Sequence, residues 1–424
     1  FVGYHLAVLA IIRFEELLVN LITSWLLLAS GFLVAQFAYA QEDLLARGEY
    51  LARAANCVAC HTVPGGKPFT GGVEFKLPFG SLFSPNITPD KQTGIGAWTD
   101  DEFVSALRTG VGRDGKHYYP AFPYTSYSKM SRDDILAIKS YLDSLEPIEQ
   151  VAQENQLNFP FNQRWGMFFW NMLFLDDKQF ETEAQHSTEW NRGKYLVEGP
   201  GHCGECHSPR NLFQAVSKDR SLAGNLIQGW NAYNISSDPI HGVGAWPTDV
   251  LARYLKDGAA PGFGLSTGPM AEVVEHSLSH LTDADRHAIA VYLKDSPARS
   301  EGVARPQKAK LAPQGGDNAL GNKLFAEACS SCHRWDGTGN QSQTAMLRGL
   351  KTVNDPAASN LLGVLLNGHG STDTRVDRRM PSFGTIYSDQ ELAALSSFVL
   401  KRFGETGAQV SEQAVAKRRT ESLH

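Results

Sequence analysis

The sequence predicts an all-α chain of three similar domains in tandem, preceded by an N-terminal hydrophobic segment. Three observations carry that expectation. A Cys-x-x-Cys-His pentapeptide occurs three times, starting at Cys57, Cys203 and Cys329. A glycine-bearing segment precedes each copy, at Gly48, Gly193 and Gly321. A helix N-terminal capping pattern closes each unit, at Ser131, Thr282 and Ser388. A chain of 424 residues accommodates about two to four domains, and three repeats select three.

The pentapeptides are Cys57-Val58-Ala59-Cys60-His61, Cys203-Gly204-Glu205-Cys206-His207 and Cys329-Ser330-Ser331-Cys332-His333, and they contain all six cysteines. This spacing is the signature of c-type haem attachment. Two sulfurs must reach opposite sides of one porphyrin edge while the adjacent histidine turns beneath the iron as its proximal ligand. Half a zinc site would need a second Cys or His pair nearby. A redox disulfide would not need a histidine after every pair. The expectation is three covalently bound haem c groups, held by Cys57 and Cys60, Cys203 and Cys206, and Cys329 and Cys332. His61, His207 and His333 then ligate the three irons.

Other bounds follow from composition. With every thiol assigned to haem, no structural disulfide remains, and c-type attachment itself implies export to a bacterial periplasm. A domain of about 100 residues has a limited core of its own, which a porphyrin enlarges. A formal charge of −6 and a pI near 6.1 argue against a nucleic-acid partner.

Residues 1–40 are a signal peptide or a membrane anchor. Their second apolar run, Leu17 to Ala40, ends Ala38-Tyr39-Ala40-Gln41-Glu42, the pattern of a cleavage site. The same run is long enough, at about 20 residues, to span a bilayer. Domain one follows at 41–150. Arg47-Gly48-Glu49-Tyr50-Leu51 precedes its motif, as Arg192-Gly193-Lys194-Tyr195-Leu196 and Gly321-Asn322-Lys323-Leu324-Phe325 precede the others. Glycine within a helix costs about 1 kcal/mol against alanine, so its recurrence signals close helix–helix approach. Ten residues after each cap stands an aromatic, Tyr141, Tyr292 or Phe398. Each domain is therefore expected to cross its first helix against its last, with the glycine receiving the aromatic. That arrangement resembles the class I cytochrome c fold.

Residues 151–190 form an aromatic-rich linker in which Phe159 to Phe174 is exceptionally apolar. As a helix it places Trp165, Phe168, Phe169 and Met172 on one face, to be buried between domains or laid into a bilayer interface beside a quinone, with Arg164 as a polar contact. Domain two covers 191–297, a flexible linker 298–318, domain three 319–404 and a polar tail 405–424. Asn86-Ile87-Thr88-Pro89-Asp90 through Trp98 recurs as Asn234-Ile235-Ser236-Ser237-Asp238 through Trp246. Domain three lacks this segment. Trp98 and Trp246 are candidates to bond haem propionates or simply to fill cores.

A haem iron held by one histidine needs a second ligand for clean electron transfer, and methionine is the usual one in cytochromes c. Met130, Met270 and Met380 each stand ahead of their domain's last helix. In the first domain His117 is the rival, giving a bis-histidine site, or the iron stays open. Met346 is badly placed.

Several longer stretches resemble the triheme cytochrome c subunits of membrane-bound bacterial dehydrogenases for alcohols, aldehydes, gluconate or sugars. They are Tyr119-Pro120-Ala121-Phe122-Pro123-Tyr124 with Tyr127-Ser128-Lys129-Met130, the Phe159–Phe174 segment, Gly201-His202 with the second motif, and Pro269-Met270-Ala271-Glu272-Val273-Val274 with Leu281-Thr282-Asp283-Ala284-Asp285. The resemblance implies that a dehydrogenase catalytic subunit with a PQQ (quinone), flavin or molybdopterin cofactor feeds electrons into the chain. It implies that the chain reduces ubiquinone on the periplasmic face of the bacterial cytoplasmic membrane. The competing classes are a haem enzyme such as a peroxidase, which needs an open iron, and a carrier to a terminal oxidase.

Overall fold

The computed structural model describes residues 41–306, 311, 318–340, 343–370 and 379–422. The segment expected to be a signal peptide or anchor lies outside the described residues. Among those described, no helix is long and apolar enough to cross a membrane.

Short helices dominate, with a few two- or three-stranded patches. In the first part of the chain α1 runs over 41–54, followed by α2 (Cys57–His61), the hairpin β1 (Glu74–Leu77) and β2 (Gly80–Phe83), α3 (Asp100–Thr109), α4 (Tyr124–Tyr127) and α5 (Arg132–Asp143). β1 and β2 are antiparallel with Glu74 opposite Phe83. Leu51, Ala55, Phe103, Tyr127, Met130, Ile135, Ile138 and Leu142 make one buried core. β3 (Gln156–Leu157) joins β2, and α6 (Gly166–Phe174) follows.

The next part repeats this order with α7 (Thr188–Glu198), α8 (Cys203–His207), the hairpin β4 (Asn225–Ile227) and β5 (Trp230–Ala232), α9 (Thr248–Asp257), α10 (Pro269–His276) and α11 (Asp283–Asp295). Its core gathers Leu196, Val243, Trp246, Leu251, Ile289, Tyr292 and Leu293. The last part has α12 (Ala319–Leu324), α13 (Ser330–His333), α14 (Ser359–Asn367), α15 (Asp389–Phe403) and α16 (Glu412–Ser422). Phe325, Leu362, Leu365, Leu392, Leu395, Phe398 and Leu400 fill the third core.

The helix crossings have the expected cause. A side chain at Gly48 would strike the Ala137 carbonyl and come within 2.9 Å of the Tyr141 Cβ. At Gly193 the same part is played by the Ala288 carbonyl and the Tyr292 Cβ, at 3.0 Å. At Gly321 the Ala394 carbonyl again closes the gap, but the Asn318 side chain replaces the aromatic. Phe398 instead packs on Phe325, ring centroids 5.3 Å apart. The last helices begin where the capping patterns put them. Ser131, Thr282 and Ser388 hydroxyls accept from the amides of Asp134, Asp285 and Glu391, satisfying donors a helix leaves unpaired.

The first two units are joined by a reciprocal clasp. Arg47 donates to Asp134 on α5 of its own unit, Nε to Oδ1 2.9 Å, and Tyr195 of α7 donates to the same carboxylate. In mirror fashion Arg192 donates to Asp285 on α11, Nε to Oδ1 2.9 Å, and Tyr50 of α1 donates to it. Burial works against the Asp285 charge, but Arg192 and then Tyr50 outweigh it and hold its carboxyl below the usual range. The third unit carries Leu320 and Lys323 where the others carry this Arg and Tyr.

The described parts of the connecting segments are bonded to the units beside them. Arg299 and Glu301 carbonyls accept from the Asn234 side chain, and the Arg305 amide donates to the Ile240 carbonyl. The start of the expected flexible linker is thus strapped along the second unit. In the polar tail, α16 buries Val415 in the third core, and Arg418 lies over the Trp230 ring at 5.2 Å. In α6 the inner face is Met167, Trp170 and Phe174, packed on Tyr124 and Ala215.

The crossing yields a direct test. Gly48→Val should lower stability by about 1–3 kcal/mol through overpacking, read as a lower denaturant midpoint. Gly166→Ala, where a Cβ meets open space, should not. Equal midpoints for the two variants would contradict the close crossing.

Candidate functional site

Each pentapeptide is one helical turn, which puts the first cysteine, the second three residues on and the histidine four residues on along one face. Asn56 (φ 51°) and His202 (φ 36°) turn the chain sharply into α2 and α8. The third copy is reached differently: α12 passes through a π-helical turn, Phe325–Cys329, into α13. Such turns are frequent at functional sites. Arg334, φ 58°, then takes the chain away.

The three histidines share one arrangement. Nδ1 of His61 lies 2.8 Å from the Pro85 carbonyl, that of His207 2.6 Å from Tyr233, and that of His333 2.6 Å from Ala345. A carbonyl only accepts, so the proton sits on Nδ1 and Nε2 keeps its lone pair for a metal. Burial lowers the pKa of all three rings, which favours the neutral form that ligation requires. Pro85 and Tyr233 directly precede the repeated Asn86 and Asn234, so the internal repeat was the signal for them. Ala345 has no such marker.

Burial favours the neutral thiol at the cysteines of the first two motifs and at Cys329. Burial first, then the neighbouring Cys60, pushes the Cys57 thiol up to about 12, and Cys203 is pushed to about 12 by burial and Cys206. Reactive or metal-binding cysteines have the opposite shift. Among the described residues no cluster of three His, Cys, Asp or Glu side chains could hold a metal ion.

Each core contains or borders one motif cysteine and one of the three methionines. Met130, fully buried, lies in the first core, against which Cys57 packs; Met270, on the first turn of α10, and Cys203 both pack against the second; Met380 packs against the third, which holds Cys329. The rival His117 faces elsewhere, with Nδ1 3.3 Å from Asn171 of α6 and its ring edge-on to Phe168. Met346 lies 3.6 Å from a Cβ built at Gly262 of the second unit. The Trp246 indole N–H is buried without an acceptor among the described residues, an arrangement that costs free energy unless a bound group accepts the bond. A haem propionate is such an acceptor, so the residues present fit the cofactor that the motif calls for.

The first two motifs also lie together. Burial first, then Cys206 and Glu272, pushes the Cys60 thiol up to about 11, so the second motif is within electrostatic reach. Glu205, inside the second motif, accepts from Thr125 (2.9 Å) and Ser126 (3.2 Å) of the first unit and from its own Arg210 (2.7 Å). His202 stacks edge-on to Tyr127, whose hydroxyl donates to Ala55. Nothing in the spacing of these residues announced the contact.

Comparison with known proteins agrees with this chemistry. The cytochrome c family model matches residues 45–146 and 318–402. The chain is 38% identical to the gluconate 2-dehydrogenase cytochrome c subunit of Pantoea cypripedii, over 86% of this chain and 87% of that protein. It is 35% identical to the fructose dehydrogenase cytochrome subunit of Gluconobacter japonicus, over 95% and 89%. The chain belongs to the cytochrome c subunits of quinone-linked dehydrogenases. It is an electron-transfer subunit, and the family's cofactor is covalently bound haem c. It is also 41% identical, over 85% of its length, to a nicotinate dehydrogenase subunit of Pseudomonas putida, but spans only 30% of that longer protein.

For this cytochrome the sixth ligand of the first site can be tested by substitution. Met130→Ala should lower the potential of one haem and produce a high-spin spectrum, because thioether ligation raises the potential. His117→Ala should leave both unchanged. The reverse pattern would make His117 the ligand.

Proposed function

We propose that this chain is a triheme electron wire that takes electrons from a periplasmic dehydrogenase catalytic subunit and delivers them to ubiquinone in the cytoplasmic membrane. Domains at 41–150, 191–297 and 319–404 each carry one haem c. Cys57, Cys60 and His61 hold the first, Cys203, Cys206 and His207 the second, and Cys329, Cys332 and His333 the third. Met130, Met270 and Met380 complete the coordination.

The observation that carries this reading is that every core holds or borders both a motif cysteine and one methionine, and that each motif histidine has its Nδ1 bonded to a backbone carbonyl. Bound haem supplies a one-electron iron couple. The chain's own residues fix the imidazole tautomer and keep the first two sites adjacent. A peroxidase needs an open iron, and a methionine in every core speaks against that class. Delivery to a terminal oxidase is the alternative exit.

The partners follow from the relatives and from one surface. The relatives are named as subunits of gluconate and fructose dehydrogenases, which supports a dehydrogenase catalytic partner; its PQQ, flavin or molybdopterin type is what the resemblance implies. The outer face of α6 supports the membrane. Trp165 (67% exposed), Phe168, Phe169, Met172 and Leu173 all point away from the core, and Phe213 (65% exposed) extends the patch. Contiguous exposed apolar surface of this kind marks interaction with a membrane or a partner, and tryptophan favours the interfacial layer. Burial of this stripe between domains, the other expectation for the linker, is not what is seen. Arg164 donates to the His117 carbonyl at 2.9 Å and lies 5.2 Å from the Tyr119 ring centroid, so its position is fixed beside the patch.

Replacing both Trp165 and Phe169 by serine should weaken membrane retention at least about tenfold, since each large apolar side chain contributes about 1.5–3 kcal/mol when buried. Haem content should stay unchanged while quinone reduction on membranes falls. Undiminished retention and activity would contradict the membrane reading, and loss of haem would assign these residues to the fold instead.

A further inference from the structure

We propose that Lys351, in the third unit, is an electrostatic positioning residue for the second haem site, where it holds the iron at a higher reduction potential than the second unit alone would set. This rests on the reading that Cys203–His207 carries a haem.

Lys351 opens a short turn, Lys351–Val353, ahead of α14. Val353 goes into the third core, but the lysine does not. Its ammonium donates to the Asn234 carbonyl at 3.2 Å and to the His241 carbonyl, and lies 5.7 Å from the Tyr233 ring centroid. All three residues belong to the second unit, and Lys351 is only 8% exposed. Tyr233 is the residue whose carbonyl accepts the Nδ1 proton of His207. One peptide unit therefore separates the carbonyl that the ammonium holds from the carbonyl that holds the proximal ligand. Both loops are pinned by their own asparagine side chains, Asn86 donating to the Ile148 carbonyl and Asn234 to those of Arg299 and Glu301, so the ammonium is an addition to the second loop rather than its closure.

Among the described residues Lys351 forms no ion pair. The charged and titratable groups around it are otherwise engaged. Asp238 accepts from the Ile240 and His241 amides and from Ser300. The His241 ring lies 3.2 Å from Asp238. Arg305 donates to the Gly262 carbonyl at 2.6 Å and faces the Phe263 ring. Asp355, on the third unit's side, accepts from the Ala357 amide. The ammonium is thus a buried cation solvated by backbone dipoles.

The sign of its effect is fixed by charge. Ferric haem carries one more positive charge than ferrous, so a cation held in a low-dielectric surround disfavours the ferric form and raises the potential.

The test is a redox titration of the haem-loaded full chain. Lys351→Met keeps the volume and removes the charge. At a pH well below 7, where the ammonium is charged, it should shift one couple about tenfold towards the ferric form at fixed potential, about 59 mV for one electron. That couple should be the one missing from a Cys203→Ala, Cys206→Ala chain, and Lys351→Arg should restore its position. A second measurement needs no neutral variant. Burial, followed by the Arg305 charge and opposed by Asp238, brings the Lys351 pKa down to about 7. The same couple in the unaltered chain should therefore fall as pH rises through about 7, and by more than it does in Lys351→Arg. The proposal is overturned if Lys351→Met moves no couple or moves that of the third unit. It is equally overturned if arginine fails to restore the position, or if the pH profiles coincide. A chain whose second motif carries no haem by mass would instead overturn the reading on which the proposal rests.

Discussion

The bond from each motif histidine's Nδ1 to a backbone carbonyl is the constraint around which the rest is arranged. In the proposed sites two thioether links would fix a porphyrin edge to a single helical turn, but they would not orient the imidazole. The carbonyls of Pro85, Tyr233 and Ala345 do, by taking the one proton the ring has to give. The loops that supply them must in turn be held. In the first two units Asn86 and Asn234 accept from the residue two positions on and donate to distant carbonyls, pinning the loop. The buried crossing of first and last helices provides the platform on which the motif turn sits. Fixing a ligand ring through its outer nitrogen is the general means by which proteins tune a metal.

Much of this was legible in the sequence because it is local or periodic. The motif turns depend on three- and four-residue spacing. The caps depend on a hydroxyl three residues before an amide. The crossings depend on a glycine whose missing Cβ makes room for a carbonyl. What escaped reading is contact between units. Tyr50 and Tyr195 sit in helices where a tyrosine reads as an ordinary half-buried residue, yet each reaches a carboxylate more than sixty positions away. Lys351 and Glu205 escaped for the same reason. The strap at 298–306 and α16 were hidden by polar composition, which says little about backbone bonding to a neighbouring surface. In α6 the sequence identified the apolar stripe, but only the packing of Trp170 and Phe174 on Tyr124 shows which face is outward.

These inter-unit contacts divide into two kinds. Between the first and second units the joint is symmetrical, an Arg–Asp pair crossed by the other unit's tyrosine on each side, and it brings Glu205 of one motif against the other unit. Between the second and third the joint is made of single insertions. Lys351 enters the second unit, Arg418 covers Trp230, and Asn231 and Asn360 exchange backbone and side-chain bonds at 2.7 and 3.0 Å. The repeated pair thus forms a near-symmetrical body, and the third unit is an addition that reaches into it.

The central claim is that all three turns carry haem in one chain, and intact mass together with haem absorbance per chain tests it most directly. The chain exported to a periplasm with its attachment machinery should carry three haems that survive denaturation. A mass corresponding to two haems or fewer, from a chain that is otherwise folded, would contradict the account.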